Sequence, residues 1–323
     1  MEFRQIEYIL TLAETRNMTR AAEKLFISQP ALSHYLKCVE EELGTRLFDR
    51  STTPMTLTHA GKCYVERARA ILLENEQLER EIRDITQHMS GKLVIGTSRD
   101  RASYMMPRIL PEFAALYPGI ETEVFTASGK VLFEALREGR VDIVLLPMAG
   151  QDDLKGLRSE KIYSEELVLA TKAGLVPEED RIPGTGAIRS GALEGADFFV
   201  LFPEHAMRSF CNRYFRQKKL HPHIRMEFSS NISCLRMAAT GMGYAVIPYL
   251  TTRLTNPGEP VEYFSLGEEP ERWEVHAFYR KGAYLGEPEF KLMEIARENF
   301  RHEELIRGRI SLMRRQKVCK KHK

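Results

Sequence analysis

The chain has 323 residues, of which 43% are hydrophobic and 28% are charged, and its formal net charge is +2. This length predicts two or three globular domains, and because no stretch resembles a signal peptide or approaches the roughly 18 apolar residues of a membrane span, we expect a cytoplasmic protein that binds no membrane. The five cysteines are scattered and form no CxxC pair, which argues against a disulfide framework and a zinc site, so we predict neither a metal nor a cofactor.

Residues 2–14 predict a first helix, and residues 18–44 predict two more that are joined by a tight turn. Thr19 and Ser28 are the expected N-caps of these two helices, because their hydroxyls can accept hydrogen bonds from unpaired N–H groups. Pro30 lies in the first turn after Ser28, where a missing N–H costs little. On the third helix, apolar residues at i, i+4 and i+7 predict one buried stripe, which consists of Leu32, Leu36, Val39 and Leu43.

The polar face of this third helix is a candidate DNA reader. It carries Gln29, Pro30, Ser33, His34 and Lys37. In helix-turn-helix proteins this end of the second helix of the motif enters the major groove, where Gln can bond adenine, Ser can serve several bases and Lys suits guanine or phosphate. An ordinary solvent-exposed face of a two-helix corner has the same pattern, so these residues alone leave both interpretations open.

Five short motifs extend the argument. They are Ala21-Ala22-Glu23-Lys24-Leu25, Ser28-Gln29-Pro30-Ala31-Leu32-Ser33, Glu42-Leu43-Gly44, Leu47-Phe48-Asp49-Arg50, and Leu57-Thr58 with Ala60-Gly61. With these motifs, residues 1–61 resemble the N-terminal winged helix-turn-helix of LysR-type transcriptional regulators, and the rest of the chain follows that family's length and order except for about the last twenty residues. The resemblance implies a regulator that binds double-stranded promoter DNA in a sequence-specific manner and responds to a small-molecule effector, and the residues described below make an anion one candidate for it.

The same resemblance implies an α/β fold class with three parts. These are a winged helix-turn-helix domain at 1–58, a long dimerising linker helix at 59–89 and a two-lobed, periplasmic-binding-protein-like effector domain at 91–303. The effector site lies between the lobes, which comprise 91–163 with 266–303 for lobe I and 164–265 for lobe II. Residues 304–323 form a basic tail, with eight Lys or Arg residues from Arg307 onward, and we expect the tail to be disordered.

Residues 47–57 predict a β-hairpin, the wing, whose tip is Ser51-Thr52-Thr53-Pro54. LysR-type proteins usually have arginine or glycine at this tip, so a minor-groove arginine contact is not expected here. We predict instead that the Thr52 hydroxyl and the Arg50 guanidinium bind phosphates of the DNA backbone.

Residues 59–89 predict one long helix, because they contain no proline and have glycine only near the start. One set of its residues is spaced alternately four and three apart, which is the pattern of a heptad seam. The seam consists of Tyr64, Ala68, Ile71, Asn75, Leu78, Ile82, Ile85 and Met89. The resemblance implies that this helix pairs two chains into a homodimer, with dimers pairing further into a homotetramer; the alternative is a helix that packs only on its own domain.

From residue 92 onward, predicted strands and helices alternate, which is the pattern of parallel sheets with helices on both faces. Three helices begin after hydroxyl-bearing segments, so their free N–H groups suit an anion or a carbonyl in the cleft. The segments are Thr97-Ser98, Ser128-Gly129 and Ser229-Ser230-Asn231. Serine and threonine are also ordinary helix caps, so that alternative stays open. The resemblance adds further weight to a set of pocket residues, namely Thr97, Ser98, Ser128, Phe202 and, as a closing residue, Met148.

Arg99 and Arg101 are distinctive, since LysR-type proteins often have small or hydroxyl-bearing residues just after the first strand of this domain. An arginine directed into the cleft would select a carboxylate or phosphate by bidentate hydrogen bonds. The alternative is that one arginine pairs with Asp100 and both face solvent.

No combination of nucleophile, base and orienting group has a spacing that supports catalysis, so we do not expect an enzyme. The rival function is a cytosolic two-lobed small-molecule binding protein or transferase, in which the N-terminal helices serve only for dimerisation. A redox switch between Cys211 and Cys234, as in peroxide-sensing members of the family, is a further alternative, although their spacing does not match that group.

Overall fold

The computed structural model describes residues 3–85, 90–148 and 153–305. The chain forms two compact units, Met1–Gln87 and His88–Lys323. The basic tail lies outside the described residues from position 306 onward. Within the described ranges, no helix has the length and apolar character that crossing a lipid bilayer requires.

The first unit contains three helices, a two-stranded hairpin and a long fourth helix. In chain order these are α1 (Phe3–Thr15), α2 (Met18–Lys24), α3 (Gln29–Leu43), β1 (Phe48–Asp49), β2 (Thr56–Leu57) and α4 (His59–Ile85). The predicted order of elements is confirmed. Residues 86–89, the predicted end of the linker helix, lie outside the described residues.

Two caps explain where α2 and α3 begin. Ser28 caps α3 as predicted, since its hydroxyl oxygen accepts a hydrogen bond from the Ala31 N–H at 3.3 Å. The predicted cap of α2 was wrong, because Asn17 holds that position and its Oδ1 accepts from the Arg20 N–H at 3.0 Å. Asn17 has the extended backbone of a cap (φ −147°, ψ 120°), so α2 begins one residue before Thr19.

The helices of the first unit enclose a small apolar core. It is built from Tyr8, Ile9, Leu12, Ala21, Ala22, Leu32, Leu36, Val39, Leu47 and Phe48. The predicted stripe of α3 is confirmed at its first three positions, whereas Leu43 is 45% exposed. The reason is Gly44, which ends α3 in the left-handed conformation (φ 66°), so the chain turns away directly after Leu43.

One carboxylate attaches the wing to α3. Oε1 of Glu40 accepts hydrogen bonds from the N–H groups of Leu47 at 2.8 Å and Phe48 at 3.3 Å. Its Oε2 accepts a hydrogen bond from the Arg50 guanidinium at 3.0 Å, and the Glu40 side chain is only 11% exposed. Because these are charge-assisted bonds to a nearly buried group, they fix the hairpin relative to α3.

The second unit alternates strands and helices. Its elements are β3 (Gly91–Thr97), α5 (Arg99–Leu116), β4 (Ile120–Thr126), α6 (Gly129–Arg137), β5 (Ile143–Pro147), β6 (Leu157–Lys172), β7 (Asp197–Leu201), α7 (Ala206–Gln217), β8 (His223–Phe228), α8 (Asn231–Ala239), β9 (Tyr244–Pro248), β10 (Val261–Ser265), β11 (Arg272–Arg280) and α9 (Glu287–Leu305). Short 3-10 helices lie at Glu178–Asp180, Ser190–Leu193 and Tyr249–Arg253. For this region the sequence predicts one strand, at 166–171, and none at the position of β10. Strand β6 begins earlier, at Leu157, and its first half was not predicted because few of its residues are apolar.

Strand β6 joins the two lobes. The strands are hydrogen-bonded in the order β4-β3-β5-β11-β6-β9-β7-β8, with β10 also paired to β6. Residues 157–166 of β6 pair with β11, and residues 167–172 pair with β9 and β10. The expectation of parallel sheets was wrong for these strands, because β6 and β11 run antiparallel to their neighbours; parallel pairing is confirmed for β3 with β4 and β5, and for β7 with β8 and β9.

Each lobe has its own apolar core. The lobe I core includes Ile95, Met105, Ile109, Phe113, Tyr163, Val275, Leu292 and Phe300. The lobe II core includes Leu167, Leu169, Phe198, Phe199, Phe210, Leu235, Ile247 and Trp273. The chain therefore passes from one core to the other between Tyr163 and Leu167 on β6, and returns between Trp273 and Val275 on β11.

Candidate functional site

The predicted reading face of α3 lies at the surface. Its exposed residues are Gln29, Pro30, His34 and Lys37, and Ser33 is half-buried. Two of these side chains contact neighbours on their own helix: His34 Nε2 lies 3.6 Å from Cys38 Sγ, and Lys37 Nζ lies 3.5 Å from the Glu41 carboxylate. Since the apolar stripe of α3 is buried on the other side, this polar face is accessible to a partner.

The two predicted wing residues are exposed, but both already make contacts within the first unit. Arg50 pairs with Glu40, as described above, and the Thr52 hydroxyl donates to the Pro54 carbonyl at 3.2 Å. Because Glu40 compensates part of the Arg50 charge, this contact weakens the case for Arg50 as a phosphate ligand.

The predicted seam of α4 divides into two parts. Ala68 is buried and Tyr64 half-buried, and both pack with Ile6 and Leu10 of α1. Asn75 donates a hydrogen bond to Glu79 at 3.1 Å. The remaining described apolar positions are exposed and form what we call the apolar ridge, namely Ile71 (41%), Leu78 (57%) and Ile82 (51%). The Ile85 side chain and Met89 lie outside the described residues.

A cavity of about 440 Å³ lies between the two lobes of the second unit. Five of the nine predicted effector residues line it: Ser98, Arg101, Ser128, Gly129 and Asn231. Residues of both lobes contribute, since Ser98 and Ser128 belong to lobe I and Asn231 to lobe II. The cavity therefore has the position that the two-lobed architecture predicts for a ligand.

The other four predicted effector residues do not line this cavity. Thr97 is fully buried, and its hydroxyl donates to the Leu145 carbonyl at 2.8 Å. Arg99 lies on a separate apolar surface of α5 and β4, because residues two positions apart on a helix point about 200° apart. Met148 is half-buried against a second apolar cluster of lobe I, around Leu132 and Val144, and Phe202, which directly follows β7, is 38% exposed.

Arg101 lines the cavity and is buried, and both terminal nitrogens of its guanidinium donate hydrogen bonds. Its guanidinium donates to Glu165 Oε2 at 3.1 Å and to the hydroxyls of Tyr104 and Tyr163. Trp273 Nε1 donates to the same Glu165 oxygen at 2.9 Å. The predicted alternative of two solvent-facing arginines is therefore wrong for Arg101, which is 4% exposed and pairs with Glu165. One donor remains, since Arg101 Nε is buried without a hydrogen-bond partner.

The surroundings favour a charged Arg101 and a neutral Tyr104. Burial opposes the charged form of Arg101, but Tyr104, Tyr163 and Glu165 outweigh burial and raise its pKa above the ordinary value. Burial raises the pKa of Tyr104 well above its ordinary value, so this phenol stays protonated. The phenol can then accept from Arg101 and donate to Glu165 Oε1, which lies 3.3 Å away.

Four helices begin at the cavity wall. The caps of α5 and α6, Ser98 and Ser128, make no side-chain capping hydrogen bond, and neither does His205 at the start of α7. By contrast, Ser230 caps α8 by accepting from the Ile232 N–H at 3.2 Å. The hydroxyls and first-turn N–H groups of α5 and α6 thus remain available to an anion or a carbonyl oxygen.

The sequence analysis did not predict several of the residues that line the cavity. They are Asp100, Lys130, Glu134, Arg137, Asp153, Glu204, His205 and Trp273. Two of them, Asp100 and Lys130, belong to the first turns of helices already singled out, so extending those predicted helix starts by one turn would have found them. Trp273 had a different signal, because it is the single tryptophan of the chain. In the first unit, Phe26 lies in the turn before α3 and is 96% exposed, and the sequence analysis did not predict this exposed aromatic side chain.

The two cysteines considered for a redox switch are both 1% exposed. Burial raises the pKa of Cys211 to about 12 and that of Cys234 above its ordinary value. The thiolate is the reactive form of cysteine, and at neutral pH both side chains are thiols. Their surroundings therefore disfavour rapid oxidation.

Two family models match the chain. The model described as LysR substrate binding domain covers residues 86–301, and the model described as bacterial regulatory helix-turn-helix protein, lysR family, covers residues 3–62. A similar curated protein is the HTH-type transcriptional regulator YcgK of Bacillus subtilis (strain 168), described as uncharacterized. It is 27% identical over 315 residues, which are 93% of this chain and 95% of that protein.

Solved structures share the whole fold. A full-length OxyR variant from Pseudomonas aeruginosa superposes with a TM-score of 0.68 at 23% identity, over 93% of this chain and 95% of that one. Full-length CbnR, in a complex with its target DNA, superposes with a TM-score of 0.62 at 21% identity, over 93% of this chain and 100% of that one.

We expect Glu165→Ala to destabilise the second unit by about 3–5 kcal/mol, because it leaves the buried Arg101 charge without its acid. Urea unfolding followed by circular dichroism measures this loss. Glu274→Ala is the matched control, since Glu274 forms an exposed pair with Lys161 at 3.2 Å and should cost no more than about 1 kcal/mol. Equal losses in the two variants would contradict the role given to Glu165.

Proposed function

The chain belongs to the lysR family of bacterial regulatory helix-turn-helix proteins, and on this basis we propose that it regulates transcription by binding promoter DNA through α3. We further propose that its activity responds to a small anion bound between the two lobes. The observation that carries the DNA-binding part is the accessible polar face that begins at Gln29, directly after the Ser28 cap.

The composition of this face suits base reading. Gln29 and Ser33 lie one turn apart near the start of α3, and their short polar side chains suit contacts to base edges in the major groove. Exposed arginines around the motif, Arg4, Arg16, Arg20 and Arg46, supply charge for the phosphates. Glu40, which would repel DNA, is instead directed to the wing. The complex of CbnR with its target DNA supports the same use of this fold.

We propose that two chains pair along the apolar ridge. Ile71 lies near the end of the part of α4 that packs on α1, and Leu78 and Ile82 lie beyond it; a partner helix would remove all three side chains from water. Asn75 lies at an intermediate seam position, where a polar residue can fix the register of two helices. The homotetramer that the resemblance implies stays a prediction.

The effector is proposed to bind with its negative group at the starts of α5 and α6. Both helices offer an unused serine hydroxyl and free N–H groups, and Lys130 adds a positive charge in the first turn of α6. Negative charges are also present, since Glu134, Asp153 and Glu204 line the same cavity and are exposed. A ligand that carries an amino group as well as a carboxylate fits this mixture.

The response requires that the ligand binds two lobe arrangements with different affinity. A molecule that contacts Ser128 of lobe I and Asn231 of lobe II meets this requirement, because its contacts depend on the distance between the lobes. No catalytic step is part of the proposal.

For DNA binding, we expect Gln29→Ala to weaken binding to the intergenic DNA beside the gene for this chain by about 5-fold to 100-fold, from the loss of base contacts. Ser33→Arg should act in the same way by crowding the groove. Gel shifts at two salt concentrations measure both effects, with Thr45→Ala as a control on an exposed polar residue outside the face. Wild-type binding that is no stronger than to unrelated DNA would favour the rival, a binding protein or transferase.

For assembly, we expect Leu78→Asp to convert a dimer into a monomer of 37.2 kDa, because it places a charge in the apolar ridge. Light scattering after size-exclusion chromatography measures the mass. Leu175→Asp, at an exposed leucine of the second unit, should leave the dimer intact. A dimer that survives Leu78→Asp would show that the ridge is not the contact.

For the effector, we propose a thermal-shift panel of acetate, benzoate, succinate and glutamate, each paired with its uncharged amide. At least one acid should raise Tm by several degrees, since a ligand at 100 times its Kd adds about 2.7 kcal/mol, and its amide should not. Lys130→Ala should reduce the rise by half or more, whereas Lys281→Ala, at an exposed lysine away from the cavity, should not. A panel in which only amides act would refute the anion preference.

A further inference from the structure

Asp100 connects the two lobes. It lies in the first turn of α5 in lobe I, yet both groups that donate hydrogen bonds to its carboxylate belong to lobe II. Its Oδ1 accepts from the Ser230 hydroxyl at 2.9 Å, and its Oδ2 accepts from the Asn231 N–H at 2.6 Å. The carboxylate thus bonds the start of α8, although Asp100 and Ser230 are 130 residues apart in the sequence.

The chemistry of this contact is that of an anion at a helix N-terminus. Free N–H groups and the helix dipole favour a negative charge there, and bonds to an ionised acceptor are roughly twice as strong as neutral ones. A helix cap normally comes from the residue just before the helix, and α8 already has one in Ser230. Asp100 therefore adds a second acceptor, supplied by the other lobe.

The surroundings show that this contact belongs to the cavity. Asp100, Arg101 and Asn231 all line it. Arg101, one residue further along α5, is turned toward Glu165 and not toward Asp100. The Asp100 carboxylate is thus left to bond the start of α8.

We propose that Asp100 is an internal latch, which holds the start of α8 against lobe I when the cavity contains no ligand. The latch goes beyond the regulatory function proposed above and does not depend on DNA binding. It also determines specificity, since it fills the N-terminus of α8 with the protein's own carboxylate. A ligand anion is thereby directed to the starts of α5 and α6, and reaches α8 only by displacing Asp100.

Hydrogen exchange of the full chain tests the latch without DNA or ligand. In Asp100→Ala, the amides of residues 230–233 should exchange about tenfold faster or more, because the Asn231 N–H loses its charged acceptor. In Ser230→Ala the Asn231 amide should exchange more slowly than in Asp100→Ala, because its bond to Asp100 remains, whereas the Ile232 amide should exchange faster than in wild type, because it loses the Ser230 cap. Ser128→Ala is the control, since it removes a cavity-lining cap hydroxyl that does not bond α8.

Two results would overturn the proposal. One is exchange at residues 230–233 that stays at the wild-type rate in Asp100→Ala. The other is an equal increase throughout lobe II, for example in β7, which would indicate general destabilisation and not the opening of a contact. Asp100→Asn separates charge from shape: faster exchange than wild type at residues 230–233 supports the charged bond, and wild-type exchange contradicts it.

Discussion

The geometry of the second unit depends on one buried ion pair, Arg101 with Glu165, at the point where β6 leaves the core of lobe I. Moving two charges out of water costs several kcal/mol for each ion, and their attraction offsets this cost only when the remaining polar groups are also bonded. Here Tyr104, Tyr163 and Trp273 supply those bonds. The pair is thus strongly position-dependent, and it ties α5 to β6 and β11 where the chain passes between the two lobes.

In the first unit, some faces of the helices are fixed by packing and others are exposed to solvent. The first half of α4 packs on α1 through Val65 and Ala68, while α1 and α3 share the core around Leu32 and Leu36. The polar face of α3 is therefore held in a fixed relation to α4. Because the apolar ridge lies further along that same helix, a partner bound to the ridge would set where a second copy of the reading face lies.

The sequence predicted well whatever depends on local periodicity and poorly whatever depends on side-chain direction. The stripe of α3, the wing and the alternation of strands and helices all follow from spacing along the chain. By contrast, Arg99 and Arg101 are two residues apart, and only the start of α5 at Arg99 decides that one faces outward and the other inward. Thr97 was misplaced for a related reason: it is the last residue of β3, so its hydroxyl bonds Leu145 on the neighbouring strand. The length of strand β6 was underestimated, because its first half is held in place by pairing with β11, and the sequence there has no run of apolar residues that would indicate a strand.

The first turn of α5 connects the elements whose movement the proposed ligand response would require. Ser98 presents an unused hydroxyl to the cavity, Asp100 bonds the start of α8 in lobe II, and Arg101 bonds Glu165 on the strand that joins the lobes. These side chains project from one rigid turn, so a shift of that turn changes all three contacts together. A ligand that binds the start of α5 therefore acts on the same element that holds α8 and the crossing strand, and its binding energy reaches the lobe arrangement without any longer path through the protein.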